Sequence, residues 1–442
     1  MNFSKHNIIS KIADSESYYL VNPLVGQADI MDKAHYEMLI KLQNGEAIHN
    51  EEFVNELERK KYIIDPKEEG KLFKNSYLTF LDERESDEVQ IFFVPNYVCN
   101  FACTYCYQDE YTNPNKIATP EIIDAFFSYI TTQFASRKKY ITVFGGEPLM
   151  AGDKQKELIT KLIEKSNEAK IDLCFVTNGF TLKSYLPLLK TGRIREIQIT
   201  LDGTAQIHNQ RRFLKGGGDT FNTIAEGISA CLDAKIDVNL RMVIDKENID
   251  ELPKLAQFAI DNGWTTSPYF KTQIGRNYEL HHCQSERDRL FDRLSIYQNI
   301  YNLVEQHPHI IEFYKPAYSI AKFLSEHGEM PQPLFDSCPA CKTEWAFDFS
   351  GQIFPCTATV GKESEALGTF YPEVKLNHKL ASAWEERDVT TIDKCQSCNV
   401  RLACGGGCGS VAKNNNNNKI CSPDCRPVEG LLELGFGYYF KE

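Results

Sequence analysis

The chain has 442 residues, 42% of them hydrophobic and 25% charged, and a formal net charge of −12. This length suits two or three domains, and the dispersed basic residues argue against a nucleic-acid partner. No apolar run approaches the length of a membrane span, so we expect no membrane partner. The first twenty residues lack the apolar core of a secretory signal, so we expect a cytoplasmic protein.

Fifteen cysteines is a high number for a chain without a secretory signal. In a reducing cytosol, clustered cysteines serve metal or redox chemistry more often than disulfides. Three lie between residues 99 and 106, and nine lie between residues 338 and 425. The sequence therefore predicts a metalloprotein.

Residues 1–82 lack clustered cysteines and combine strand-like and helix-like patterns. Residues 18–21 and 62–64 have strand character, while Asp32 and Asn50 are N-cap candidates for two helices between them. The pattern predicts a small winged-helix-like domain, joined to the next domain by the charged run 82–88. The alternative is a helical cap that only packs on that next domain.

Beyond the charged run, strand-like and helix-like segments alternate. One helix is expected after Thr119-Pro120, where apolar residues recur at helical spacing. Six βα units predict an α/β fold, a partial (β/α)6 barrel within residues 88–310, with its chemistry at the carboxyl ends of the strands. The strand-like runs are 91–94, 140–144, 171–176, 196–201, 237–244 and a weaker one near Tyr269.

The first of these runs is followed directly by CNFACTYCYQDEY, in which Cys99, Cys103 and Cys106 have the spacing C-x3-C-x2-C. Three thiolates in one short loop can hold three irons of a 4Fe–4S cube. The fourth iron then lacks a protein ligand, and an open metal position is where a substrate or cofactor binds. The alternatives are a zinc knot or ordinary buried thiols.

Small and polar residues follow the next strand-like runs. Gly145-Gly146-Glu147-Pro148 follows the second run, Thr177-Asn178-Gly179 the third and Asp202-Gly203 the fourth. The two glycines remove side chains, so that a backbone carbonyl can approach a ligand amine. Farther on, Arg212 is suited to binding a carboxylate, although a plain surface arginine is the alternative.

The C-terminal third contains the second cysteine pattern. Cys341, Gly351 and Cys356 give C-x9-G-x4-C, and the next four cysteines give C-x2-C-x5-C-x3-C. The region has nine cysteines, and two four-iron cubes need eight protein ligands. Zinc ribbons are the alternative. Cys174 is expected to be a small core residue, and His281-His282-Cys283 an exposed loop rather than a ligand set.

These motifs resemble those of the radical S-adenosylmethionine (SAM) superfamily, and the C-terminal array resembles its SPASM extension. The resemblance implies that the open iron binds SAM and that SAM is cleaved reductively to a 5′-deoxyadenosyl radical. GGEP matches the motif for the methionine amino group. The implied cofactor-binding residues are Gly145, Gly146, Glu147, Pro148, Thr177, Asn178, Thr200 and Arg212.

The resemblance also implies three 4Fe–4S clusters, with two auxiliary clusters in a SPASM domain at residues 311–442. The ligands implied for auxiliary cluster I are Cys338, Cys341, Cys356 and Cys408. Those implied for auxiliary cluster II are Cys395, Cys398, Cys404 and either Cys425, which we favour, or Cys421.

The N-terminal pattern resembles the recognition element of ribosomal peptide maturases, which binds a leader peptide by strand addition. Sulfatase maturases are also similar, but they place an aspartate base where this chain has Thr357, which cannot accept a proton at neutral pH. We therefore expect a maturase that modifies a precursor peptide with a leader sequence and forms thioethers. A reductant such as flavodoxin or ferredoxin is expected to supply its electrons. The alternatives are carbon–carbon crosslinking, epimerisation, sulfatase-maturase-like oxidation and, in another class, an iron–sulfur electron carrier.

Overall fold

The computed structural model describes residues 2–106, 116–276 and 287–440, so the stretch 281–283 lies outside the described residues. The N-terminal elements are β1 (Asn2–Phe3), β2 (Ile8–Lys11), β3 (Tyr18–Asn22), β4 (Gln27–Met31), α1 (Lys33–Gln43), α2 (Glu51–Arg59), β5 (Ile63–Ile64) and α3 (Pro66–Ser86).

The barrel region follows. Its elements are β6 (Val89–Val94), α4 (Pro120–Gln133), β7 (Lys139–Val143), α5 (Asp153–Ala169), β8 (Asp172–Thr177), α6 (Leu182–Leu189), β9 (Ile194–Thr200), α7 (Ala205–Arg211), α8 (Phe221–Asp233), β10 (Val238–Ile244), α9 (Leu252–Asp261), β11 (Phe270–Arg276), α10 (Ser295–Gln306), α11 (Ile310–Phe313) and α12 (Ala321–His327).

The C-terminal region has shorter elements. They are β12 (Glu344–Asp348), β13 (Gln352–Phe354), β14 (Gly368–Thr369), β15 (Lys375–Leu376), α13 (His378–Glu385), α14 (Asp393–Gln396), α15 (Arg401–Cys404), α16 (Gly409–Asn415) and α17 (Val428–Tyr439). In the described ranges, no helix is both long enough and apolar enough to cross a membrane.

Both N-cap residues expected in the N-terminal region cap helices. The Asp32 side chain accepts from the His35 amide at the start of α1, and the Asn50 side chain accepts from the Phe53 amide at the start of α2. The charged run 82–88 differs from the expectation, because most of it belongs to the 21-residue helix α3. Long charged side chains lose little rotamer freedom in a helix, so a charged run alone does not indicate a linker.

The N-terminal region packs on the C-terminal region. Ile8 and Tyr19 share an apolar cluster with Leu432 and Phe436 of α17, and the rings of Tyr19 and Phe436 stack at 4.8 Å. Leu24 lies in a second cluster with cysteine-region residues. The strands β2, β3 and β4 form an antiparallel sheet in that order, so β4 is one of its edges.

The barrel follows the predicted α/β pattern. Strands β6 to β11 are parallel neighbours in chain order, with helices between them. The Thr119 side chain caps α4. The apolar residues that recur along this helix at helical spacing are buried: Ile122, Ile123, Phe126, Phe127 and Ile130. On the outer face of the sheet, Phe126 packs against Phe93 of β6 at 4.5 Å and against Phe347 of β12 at 5.3 Å.

The C-terminal region continues the barrel sheet, which the sequence did not indicate. Strand β12 pairs in parallel with β6, and β13, β14 and β15 follow in antiparallel order to give a ten-stranded sheet. The strand β12 covers the edge that β6 would otherwise expose. The cysteine-rich region is therefore built directly onto the barrel.

Candidate active site and cysteine clusters

The loop with Cys99, Cys103 and Cys106 begins just beyond the carboxyl end of β6. The pKa of the Cys99 thiol is raised to about 12, chiefly by burial, with smaller contributions from Glu147, Cys103 and Cys106. The three thiols are thus close enough to influence one another. Since a coordinated thiol is deprotonated by its metal, this donor set is suited to a cationic cluster.

The GGEP segment after β7 packs against the backbone that leads into this loop. The Gly146 and Glu147 amides donate to the carbonyls of Asn96 (3.1 Å) and Val98 (2.8 Å). A Cβ at Gly145 would lie 2.6 Å from the Asn96 oxygen, and one at Gly146 would lie 2.0 Å from the Val98 oxygen. The glycines are therefore required for contact with the protein's own carbonyls, whereas approach to a ligand amine stays a prediction.

Glu147 joins the ends of two neighbouring strands. Its fully buried carboxylate accepts from the Thr177 hydroxyl (2.6 Å), the Asn178 amide (2.6 Å) and the Leu149 amide (2.7 Å). Burial raises the pKa of Glu147, while these donors oppose the rise. The carbonyl of Pro148 accepts from Gln155 at 2.5 Å, which fixes the end of the segment on α5.

Asn178 connects this pair of turns to the cysteine loop. Its side-chain amide donates to Oδ1 of Asn100 at 2.7 Å and lies 3.9 Å from Sγ of Cys99. The structure thus brings the cysteine loop, GGEP and Thr177-Asn178-Gly179 together at one end of the barrel. Thr200, the last residue of β9, is 8% exposed and pairs with Arg241 of β10.

A buried polar network lies beneath the cysteine loop. The Tyr105 hydroxyl donates to Asp202 at 2.5 Å, and Arg212 donates to the Tyr105 oxygen at 2.8 Å. Arg211 forms a bidentate pair with Asp245, at 2.9 and 3.0 Å. Sequence reasoning missed Tyr105, Arg211 and Asp245, and Asp202-Gly203 signalled only a turn.

Arg212 is 9% exposed, so it is not a plain surface arginine. Burial opposes its charge, but Cys103, Tyr105 and Asp202 together raise the pKa of Arg212 well above its ordinary value. Its Nε is buried without a hydrogen-bond partner in the part of the chain that the structure describes. This group is available to a carboxylate, as the resemblance implies for SAM.

His208 and Asn209 hold the helices beside this network. The Asp202 amide donates to Nδ1 of His208, so Nε2 carries the proton and donates to the Thr220 hydroxyl at 3.1 Å. Oδ1 of Asn209 accepts from the amides of Thr220 and Phe221 at 3.0 Å, at the start of α8. Both residues therefore have structural roles.

The C-terminal thiols fall into two sets. In the first, burial raises the pKa of Cys356 well above its ordinary value, with contributions from Glu344, Cys338 and Cys408, while Cys338 also contributes to the raised pKa of Cys341. In the second, the pKa of Cys395 is raised to about 11, chiefly by burial and then by the neighbouring Cys404, Cys398 and Cys425. Cys421 is not among the leading neighbours that shift the described thiols of this second set.

The backbone around these sets is held by Arg387, which is fully buried. Its guanidinium donates to four carbonyls, those of Gly406, Gly407, Ile420 and Ser422, at 2.8 to 3.0 Å. One side chain thus fixes the loops that lead to Cys404, Cys408 and Cys425.

Thr357 is hydrogen-bonded to the buried carboxyl group of Glu344. Oε1 of Glu344 accepts from the Thr357 amide at 2.7 Å and from its hydroxyl at 3.0 Å, and burial raises the pKa of Glu344. A carboxyl group therefore stands next to the position after Cys356, although the sequence places a threonine there.

Two other cysteines are separate from these sets. Cys174 is buried in β8, as expected of a small core residue, and it lies near Thr142 and Glu196 rather than in the main apolar cluster. Cys231 lies in that cluster. Within the described ranges, no group of three or more His, Cys, Asp or Glu residues is arranged to hold a metal ion. The ligand assignments therefore stay predictions, supported by the proximity of the thiols.

Comparison with known proteins agrees with this geometry. Residues 93–259 match the family model described as the radical SAM superfamily. The cysteine loop, GGEP and Thr177-Asn178-Gly179 all fall inside this range, so the match covers the part of the chain that carries the candidate site. A GTP 3′,8-cyclase of Helicobacter pylori is 24% identical over 66% of this chain and 91% of its own length. A GTP 3′,8-cyclase of Rhizobium etli is 32% identical, but the alignment spans 37% of this chain and 46% of the relative.

Two solved structures share the fold over more of the chain. A structure described as native anSMEcpe with bound AdoMet is 17% identical, with a TM-score of 0.60 over 79% of this chain and 97% of that one. Streptococcus suis SuiB bound to S-adenosylmethionine is 16% identical, with a TM-score of 0.53 over 97% of this chain and 99% of that one. These likenesses confirm the α/β fold with a mostly parallel central sheet.

Proposed function

We propose that this chain is a radical SAM enzyme that modifies a ribosomally made precursor peptide. The observation that carries the proposal is the meeting of the cysteine loop, GGEP and Thr177-Asn178-Gly179 at one end of a barrel whose sheet continues into a cysteine-rich region. An electron carrier needs no cofactor site of this kind. In this proposal Cys99, Cys103 and Cys106 hold the cluster that binds SAM, and the other thiol sets hold two auxiliary clusters.

A peptide substrate is supported by the fold likeness that spans nearly the whole chain. SuiB has also been solved bound to its precursor peptide SuiA, and that structure aligns with 95% of this chain at a TM-score of 0.53. The N-terminal sheet has an edge strand, β4, which suits peptide binding by strand addition. Because fold alone does not fix function, this argument is one of analogy.

The reaction that we propose is thioether formation. Bound SAM and its cluster supply the reductive cleavage that starts hydrogen abstraction from a substrate carbon. A carbon–hydrogen bond of the peptide then breaks, and its hydrogen atom is released in 5′-deoxyadenosine. A carbon–sulfur bond forms to a peptide cysteine, and the thiol proton and one electron leave. Auxiliary clusters held by the two C-terminal thiol sets would accept that electron, and a protein such as ferredoxin or flavodoxin would supply the reducing electron.

The protein's own residues position this chemistry. Glu147 holds Thr177 and Asn178 against the cysteine loop, and Arg212 presents a buried guanidinium beside Cys103. The carboxyl group of Glu344 lies beside Thr357 and near Cys356. Because this acidic group could act as a base, sulfatase-maturase-like oxidation is a second candidate reaction.

The test has two parts. The anaerobically reconstituted protein, reduced in the presence of SAM, should release 5′-deoxyadenosine, whereas an electron carrier would release none. Co-expression with a short cysteine-containing reading frame beside the gene should then give a peptide that has lost two hydrogens and one alkylatable thiol for each thioether. A peptide that loses two hydrogens but keeps its thiols would indicate carbon–carbon crosslinking, and an unchanged mass with a D-residue would indicate epimerisation.

A further inference from the structure

Arg401 lies between the N-terminal region and the second set of thiols. It is 6% exposed, and its guanidinium stacks over the ring of Phe73 at 4.5 Å. One terminal nitrogen donates to the Gln396 carbonyl at 2.8 Å, and the other is 3.5 Å from Nε2 of His6. Phe73 and His6 belong to the N-terminal region, and their rings are themselves stacked at 5.6 Å.

The charge of Arg401 is not matched by a salt bridge among the described residues. Burial lowers the pKa of Arg401, and the groups that oppose this effect are Cys398 and Cys395, followed by Glu69. Nε of Arg401 is buried without a hydrogen-bond partner in the described ranges. Since a buried cation without a counter-charge is costly, the arrangement favours negative charge at the neighbouring thiols.

We propose that Arg401 sets the reduction potential of the cluster held by Cys395, Cys398, Cys404 and Cys425, and that Phe73 and His6 hold its charge in place. This inference rests on the proposed function, because it requires the second auxiliary cluster. A cube with four thiolate ligands becomes more negative when it accepts one electron. A fixed cation beside it stabilises the reduced form more than the oxidised form, so Arg401 raises the potential.

The inference gives the N-terminal region a second role. The region that we propose to bind the leader contacts Arg401, the charged side chain beside the proposed second auxiliary cluster. A change in how this region packs therefore changes how readily the cluster accepts the surplus electron.

The test is a redox titration followed by electron paramagnetic resonance, with dithionite as the electron donor. The parent protein has Cys99, Cys103 and Cys106 replaced by alanine, so that only the two auxiliary clusters remain. In the Arg401→Gln variant, the ratio of reduced to oxidised cluster at the parent's midpoint should fall at least tenfold, about 59 mV for one electron. The other cluster should keep its midpoint, which makes it the internal control.

Further variants separate charge from structure. Arg401→Lys keeps a cation and should shift the midpoint less, while Phe73→Leu removes the ring under the guanidinium and should shift it in the same direction as Arg401→Gln. Arg59→Gln replaces an exposed arginine on α2 and should leave both midpoints unchanged.

Two results overturn the inference, and they are distinguishable. If Arg401→Gln keeps two full cubes and both midpoints, the role of Arg401 is wrong while the cluster assignment stands. If the parent holds only one cube, the proposed auxiliary clusters are wrong and this inference falls with them. Should Arg401→Gln lose the cluster on purification, an unchanged midpoint in Phe73→Leu overturns the inference.

Discussion

Glu147 has one buried carboxylate that accepts from three donors, so even an isosteric substitution disturbs its hydrogen bonds. Replacing it with glutamine turns one oxygen into a donor that faces the backbone amides of Leu149 or Asn178. We expect Glu147→Gln to lower the free energy of unfolding by about 1–3 kcal/mol. SAM affinity should fall roughly tenfold, because the turn beside Cys99 moves.

Equilibrium SAM binding and urea unfolding of the reconstituted protein measure these two effects. The matched control is Glu164→Gln, an exposed glutamate on α5, which should change neither quantity. A Glu147→Gln protein that binds SAM as tightly as the parent would show that the buried carboxylate does not position the cofactor site.

The last two cysteines give a second prediction at this scale. Cys425 influences the pKa of both Cys395 and Cys398, and Cys421 is not among their leading neighbours. Cys425→Ala should therefore remove up to four of about twelve irons, whereas Cys421→Ala should keep all of them. Iron and sulfide analysis decides the matter, and the reverse pattern would make Cys421 the ligand.

Cysteine spacing indicated the SAM-cluster loop, but the grouping of the C-terminal thiols came from the family resemblance. Cys408 lies in the same motif as Cys404, yet its thiol neighbours Cys338 and Cys356. The network of Tyr105, Asp202, Arg211 and Asp245 was not predictable, since pairing between buried charges far apart in the chain leaves no local pattern. Thr357 shows the same limit. Its identity argued against an acidic group at that position, but the fold supplies the carboxyl of Glu344 from β12.

Among the elements, β4 is the one on which the proposed leader binding depends. It is an edge of its sheet, and Ile30 on it is 47% exposed. Adjacent residues of a strand direct their amides to opposite edges. Single prolines at Ala28, Asp29 and Ile30 should therefore alternate in their effect on precursor binding. A proline that removes an outward-facing amide should weaken binding at least tenfold.

The control for this series is Ile30→Ala, which keeps the backbone amide and should bind the precursor nearly as well as the parent. Fluorescence anisotropy with a labelled precursor measures the affinities, and thermal unfolding identifies prolines that break the pairing with β3 instead. If no proline weakens binding without unfolding the sheet, leader binding at β4 is wrong. Deleting residues 1–80 is a poorer test, because it uncovers the apolar clusters that pack on the C-terminal region.

Five of the six barrel strands were predictable to within two residues at each end, since buried parallel strands are short apolar runs bounded by turn residues. For β11 only a weak run near Tyr269 was predicted, without bounds. Strand β12, with the five residues EWAFD between Cys341 and Cys356, was not among the predicted strands. Its identity as a strand depends on pairing with β6, more than 240 residues earlier in the chain.

At the scale of the whole molecule, the cysteine-rich region is the centre of the architecture. It continues the barrel sheet through β12 and carries the N-terminal region on its other side. Its own regular elements are short: α14 and α15 have four residues each. Such a region buries little backbone in secondary structure, so its order must come from buried contacts such as those of Arg387 and from bound clusters.

This dependence predicts that loss of the auxiliary clusters loosens two distant parts of the chain together. Cys395→Ala should speed amide hydrogen exchange around α14 and α15, and also in β2 and β3, which pack against the same clusters of apolar residues. The helices α4 and α5 on the barrel should exchange as in the parent.

Hydrogen exchange followed by mass spectrometry resolves these segments. Cys99→Ala, which removes only the SAM-binding cluster, is the matched control and should leave β2 and β3 unchanged. If β2 and β3 stay protected in Cys395→Ala while α15 opens, the N-terminal region is held by α17 alone, and the coupling between leader binding and the second auxiliary cluster would lose its structural basis.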